Sequence, residues 1–112
     1  LSSVKAEETS EQIKQRVNKA REIQRQRYKG TNVSCNARLT PDLIKKYCVL
    51  TKDASDYLEL AFERLGMSAR AYDRILKVAR TIADLEASRD IEKQHIFSAI
   101  SFRSLDRKYW NA

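Results

Sequence analysis

Glycine occurs twice and proline once in this 112-residue chain, and those two shortages exclude much familiar catalytic machinery. A phosphate-binding loop of the form G-x-x-x-x-G-K-[ST] cannot be built when Gly30 and Gly66 are the only glycines. The same scarcity rules out a dinucleotide fingerprint or a nucleophile elbow. Cysteine and histidine are equally sparse. Cys35 and Cys48 stand outside any C-x-x-C spacing, and His95 alone is too little to complete a metal site with them. The two cysteines read as free thiols. His95, beside Gln94, Ile96 and Phe97, reads as a packing or capping residue rather than a general base. No apolar run approaches a membrane span and no signal-peptide pattern is present, so a cytoplasmic location is expected. The chain opens on Leu1 without an initiator methionine, which fits a piece of a longer polypeptide. No enzyme is expected from this chain by itself.

What is abundant points to helices. Hydrophobic residues make up 42% and charged residues 33%, a globular balance dominated by good helix formers, and the length suits one modest core. The net charge of +7 is concentrated: Lys14, Arg16, Lys19, Arg21, Arg25, Arg27 and Lys29 face only Glu22 across residues 14–29, leaving +6 there. The first long helix therefore carries the basic character.

The segment Ser68–Leu85, SARAYDRILKVARTIADL, is the most strongly patterned. At about 100° per residue, Ala71, Tyr72, Ile75, Leu76, Val78, Ala79, Ile82, Ala83 and Leu85 fall on one arc. Arg70, Asp73, Arg74, Lys77, Arg80, Thr81 and Asp84 share the other side, read as a charged outer face. Spacing allows the pairs Arg70–Asp73, Asp73–Lys77 and Arg80–Asp84, whereas Arg74 has no acid three or four positions away. Ser68 after Gly66 makes an N-cap, which puts Arg70 in the first turn among free N–H groups and positive dipole potential. An anion there would relieve that charge, so Arg70 and Arg74 form a candidate phosphate site. Periodicity alone fits a solvated arginine-rich face as well.

Elsewhere the pattern predicts an all-α, compact bundle of about five helices. Residues 1–9 read as a flexible acidic lead-in and 10–112 as a single helical domain. Its long basic first helix spans 10–29, capped by Thr9 or Ser10, with Ile13, Val17 and Ala20 as a narrow apolar stripe, Ile23 offset and Tyr28 at the end. Its core bundle spans 40–110. Thr40-Pro41 starts a short helix to about Val49. The next runs from about Lys52 to Leu65 with Tyr57 or Leu58, Ala61, Phe62 and Leu65 inward. The Ser68 helix, expected to be central, ends near Ala87-Ser88. The last helix has Ile96, Phe97, Ala99, Ile100 and Phe102 as its apolar set, and Leu105, Tyr109 and Trp110 close the chain.

The Ser68–Leu85 segment, together with RVNKAREIQRQR (Arg16–Arg27), CNARLT (Cys35–Thr40) and AISFRSLDR (Ala99–Arg107), resembles the C-terminal helical domain of magnesium-chelatase-like AAA+ ATPases, ComM/YifB type, over about residues 10–110. The resemblance implies a lid domain fused after an ATPase core that supplies the missing Walker motifs and binds most of the ATP and Mg2+. In such lids an arginine at a helix start, termed sensor 2, contacts the ATP γ-phosphate; Arg70 holds that position, with Arg74 a second candidate. It further implies a homo-hexameric parent protein coupling hydrolysis to DNA branch migration, or, in the chelatase motor subunits, to metal insertion into protoporphyrin.

Lys14, Arg16, Lys19, Arg21, Arg25 and Arg27 are candidates for contact with DNA or for docking on the ATPase core. No aromatic residue interleaves them, so a base-stacking platform is not expected. A stand-alone helical DNA-binding or adaptor module is the alternative of another class. Against it, the Lys52–Leu65 helix bears Asp53, Asp56, Glu59 and Glu63 and makes a poor recognition helix.

Overall fold

The structure, a computed structural model, describes residues 9–105. Among them are five α-helices and no strand: α1 (Ser10–Arg27), α2 (Pro41–Tyr47), α3 (Lys52–Leu65), α4 (Ala69–Leu85) and α5 (Lys93–Leu105), with a 3-10 turn at Asn36–Arg38. The protein is all-α, as its composition implies. Of the expected lead-in only Thr9 is described, and Tyr109 and Trp110 lie outside the described residues. No helix there is long and apolar enough to cross a membrane.

Side-chain caps set the helix starts. Thr9 and Gln12 form a reciprocal capping box at α1, while Thr40, Thr51 and Ser68 each accept a backbone N–H at the head of α2, α3 and α4. Pro41 follows Thr40 at the first turn of α2, where its missing N–H costs nothing. Gly66 adopts φ +60 and ends α3 in the left-handed turn that leads to the Ser68 cap.

Helix α4 is central, packing against α5, α1, α2 and the 3-10 turn, while α3 rests on α5. Ile75, Leu76, Ala79 and Ala83 of its apolar arc meet Leu58, Ile91, Ile96 and Ala99 in one core. A lone bridge between Leu50 and Ile91 fastens the α2–α3 link to the α4–α5 link, with the Thr51 N–H donating to the Ile91 carbonyl at 3.0 Å. His95 is buried and caps α5: its Nδ1 accepts the Glu92 N–H at 2.9 Å, so Nε2 carries the proton toward Glu86 Oε1.

Several inward assignments fail at the edges. Phe97 is 59% exposed, and Phe102, Leu65 and Ile13 also face solvent. In α5 the buried face is His95, Ile96 and Ala99, and Phe97 lies on the opposite side of the cylinder. The expected stripe of α1 is buried at Ala20 and Tyr28, half-buried at Val17 and exposed at Ile13, and α1 is also held by Gln24 on the Asn36 N–H and Arg27 on Asp84 of α4. Helix ends fall earlier than expected, at Arg27, Tyr47 and Leu85.

The end of α4 is unusual. Ala87 adopts φ +57, with the Ser88 N–H donating to the Ala83 carbonyl at 2.8 Å and the Ala87 N–H to that of Asp84 at 3.0 Å. This is a left-handed helix stop with alanine where glycine is the usual residue. Arg80 clamps it from beneath, donating to the carbonyls of Ser88 at 2.7 Å and Arg89 at 2.9 Å.

Candidate functional site

The polar side of α4 divides into an open and a closed half. In the open half Arg70, Arg74 and Lys77, at i, i+4 and i+7, line a groove with Asp73 and Val78. Its opposite wall is Ala37 of the 3-10 turn and Pro41 at the head of α2, and the cavity measures about 750 Å³. Arg70 and Arg74 are exposed. The first turn of α4 contains no acidic residue, and Ser68 Oγ satisfies only the Ala71 N–H, at 3.1 Å. Among the described residues no carboxylate lies within ion-pairing distance of Arg70, and Asp73 pairs with neither Arg70 nor Lys77. The groove is thus a basic trough at a positive helix end, suited to an anion with several oxygens.

The closed half contradicts the reading of a solvated face. Arg80 and Asp84 sit there with side chains 2% and 0% exposed, joined at 3.0 Å in the i,i+4 pair that spacing allows. The C-terminal end of α1 and the 3-10 turn cover them. Arg27 reaches down from α1 and donates through Nη1 and Nη2 to Asp84 at 2.9 and 2.6 Å. Asn36 Nδ2 donates to Asp84 Oδ2 and to Thr81 Oγ1, both at 3.0 Å. Asn36 Oδ1 accepts from the Tyr28 hydroxyl, and its backbone N–H donates to Gln24 Oε1 at 3.0 Å.

Two guanidiniums and one amide converge on a single carboxylate. Asp84, through its hydrogen bonds, holds the Arg27 guanidinium protonated above the ordinary arginine range, against the opposing effect of burial. Burial also raises the Tyr28 hydroxyl, an effect partly offset by Arg27. One polar atom in this region, Arg80 Nε, is buried without a partner. Cys48, beneath α4, donates weakly to the Leu76 carbonyl at 3.9 Å, and burial pushes its thiol up to about 11.

The basic candidates on α1 separate accordingly. Lys14, Arg16, Lys19, Arg21 and Arg25 remain on the exposed side, Arg25 beside Glu22. Arg27 is turned inward onto Asp84, its side chain 17% exposed. Sequence reasoning missed Gln24 and Asn36, and placed Tyr28 at the end of the apolar stripe without its bond to Asn36. The spacing of Ala20, Gln24 and Tyr28 at i, i+4, i+8 marks the true buried edge of α1, but it is hidden because only one of the three is aliphatic.

Residues 7–103 match the family model described as magnesium chelatase, subunit ChlI C-terminal. The chain belongs to this family. It is 47% identical over 100 residues to the uncharacterized protein YifB of Salmonella typhimurium and 44% identical to YifB of Escherichia coli. It is 41% identical over 100 residues to the competence protein ComM of Haemophilus influenzae. Each alignment covers 89% of this chain and 19% of the relative, so the chain spans about a fifth of those proteins' length. No solved structure matches it. Over its described residues this magnesium-chelatase-like C-terminal domain is a five-helix bundle whose central helix bears an open basic groove and a closed ionic hub.

Proposed function

We propose that the chain is the lid domain of an AAA+ ATPase of the ComM/YifB kind, with Arg70 acting as the sensor-2 contact to the ATP γ-phosphate. The observation that carries this reading is Arg70 itself: exposed, in the first turn of α4, with no acid in that turn and no ion pair to any described carboxylate. A guanidinium offers two parallel N–H donors to a phosphate, and the helix end adds its own positive potential. Arg74 is the second candidate on the same wall of the groove.

ATP and Mg2+ belong chiefly to an ATPase core outside this chain. The groove's donor set suits the phosphate end, with three cations against the single carboxylate of Asp73. ADP lacks the terminal phosphate that Arg70 would grip, so lid position follows nucleotide state and hydrolysis releases the lid. Work on DNA by a hexameric parent is the reading favoured here over metal insertion into protoporphyrin. The matches to YifB and to a protein named for competence support that preference, as do the exposed cations of α1. A stand-alone helical DNA-binding or adaptor module is the weaker reading, since Asp53, Asp56, Glu59 and Glu63 make α3 a poor recognition helix.

The test is ATP turnover by the full-length protein carrying Arg70→Ala. Turnover falls at least about tenfold, the cost of removing one preorganised charge donor. The melting temperature holds, because the exposed side chain supports no packing. Unchanged turnover refutes the assignment.

A further inference from the structure

The CNARLT segment has no role in the reading above, yet the side chain of its asparagine makes three hydrogen bonds beside the groove. The 3-10 turn it begins is three residues long and receives no side-chain cap from Cys35. Turns of this kind have little stability of their own. Asn36 supplies what holds this one. Both its amide nitrogen and its amide oxygen are used: Nδ2 donates to Thr81 and Asp84 of α4, and Oδ1 accepts from Tyr28 at the end of α1. Its backbone N–H adds a bond to Gln24 of α1. The residue is 1% exposed, and the next one, Ala37, is the groove wall that faces Arg70, Arg74 and Lys77.

We propose that Asn36 is a positioning residue for the groove: it fixes the Ala37 wall against the cationic stripe of α4 and locks α1 to that wall. The groove and the basic helix then form one mechanical unit. An anion that orders the groove also tightens the C-terminal turn of α1, and the link runs through one side-chain amide with partners on both helices. This rests on the reading of the groove as a phosphate site. It adds a route by which occupancy reaches the α1 surface.

The experiment uses the 112-residue chain and inorganic triphosphate as the probe. Binding is followed by NMR titration, and amide hydrogen exchange is read at Tyr28, Arg38 and Leu39, whose N–H groups bond to the carbonyls of Gln24, Cys35 and Asn36. In the wild type, triphosphate is expected to slow exchange at Tyr28 as well as in the turn. Asn36→Ala lowers triphosphate affinity roughly five- to tenfold, the effect of one poorly aimed charged hydrogen bond. It also abolishes the slowing at Tyr28 at temperatures where the variant remains folded, which a merely structural role would leave in place. Thr81→Val, similar in shape, removes one bond from Asn36 together with the hydroxyl's own bond to the Lys77 carbonyl within α4, and gives a smaller change of the same kind should Asn36→Ala fold poorly. A wild-type chain that does not bind triphosphate refutes the groove reading itself. Binding and Tyr28 protection that both variants leave unchanged refute the positioning role alone.

Discussion

Asp84→Ala tests the ionic hub most severely. The substitution removes the carboxylate that accepts two hydrogen bonds from Arg27 and one from Asn36 and forms the ion pair with Arg80. What remains depends on where each partner can go. Arg27 is at the rim and can swing into water, so its charge is not stranded. Arg80 cannot leave. It keeps the Ser88 and Arg89 carbonyls but has no counter-charge, and its Nε already lacks a partner. Removing one member of a buried pair typically costs about 3–5 kcal/mol, and the two carbonyls place this case near the lower end, about 3 kcal/mol. Arg27→Met keeps the stem and leaves Asp84 paired with Arg80 and Asn36, so its cost is about 1–2 kcal/mol. Against a total of about 5–15 kcal/mol for a domain of this size, the first change is grave and the second moderate. Urea denaturation followed by circular dichroism at neutral pH resolves the two. The order Asp84→Ala worse than Arg27→Met by more than about 1 kcal/mol follows from the unequal burial of the two arginines. Equal costs, or an Asp84→Ala variant within about 0.5 kcal/mol of wild type, would refute the reasoning. The exposed Lys52–Asp56 pair is the internal control, since removing it changes next to nothing.

Two further outcomes concern the cysteines and the basic helix. Cys35 is partly exposed and Cys48 buried, so a thiol reagent at pH 8 modifies Cys35 in the native protein and reaches Cys48 only on unfolding; equal rates contradict the burial. The Cys48 thiol ionises at about 11 in the fold against an ordinary 9.0, so its contribution to stability is complete below pH 9 and declines as pH rises toward 11. For DNA, the chain's affinity is expected to fall with salt at a slope no steeper than about −4.5 from α1, since Lys14, Arg16, Lys19, Arg21 and Arg25 are outward there and Arg27 is not. Lys19→Gln flattens that slope by about one unit, and a response flat from the outset removes direct phosphate contact.

The parts of the fold that were legible are those written in local chemistry. Thr40-Pro41, Ser68 after Gly66, and the nine apolar residues of α4 each state a helix start or a buried face without help from tertiary structure. The parts that were not legible depend on who covers whom. Arg80 and Asp84 have the same spacing as a surface pair, and nothing local distinguishes a pair in water from one roofed by Arg27 and Asn36, distant in sequence. The apolar residues of α5 outnumber the positions its neighbours cover, which is why Phe97 and Phe102 came out exposed. At the candidate site, the position of Arg70 followed from capping and helix polarity. The facing wall did not, because it comes from a 3-10 turn brought across by Asn36.

Nucleotide discrimination in the full-length protein tests the central claim most directly. Affinities for a non-hydrolysable ATP analogue and for ADP are measured for wild type and Arg70→Ala. The account predicts a wild-type preference for the triphosphate of about tenfold or more, collapsing toward parity in the variant while ADP affinity is retained. A preference that survives the loss of that guanidinium intact contradicts it.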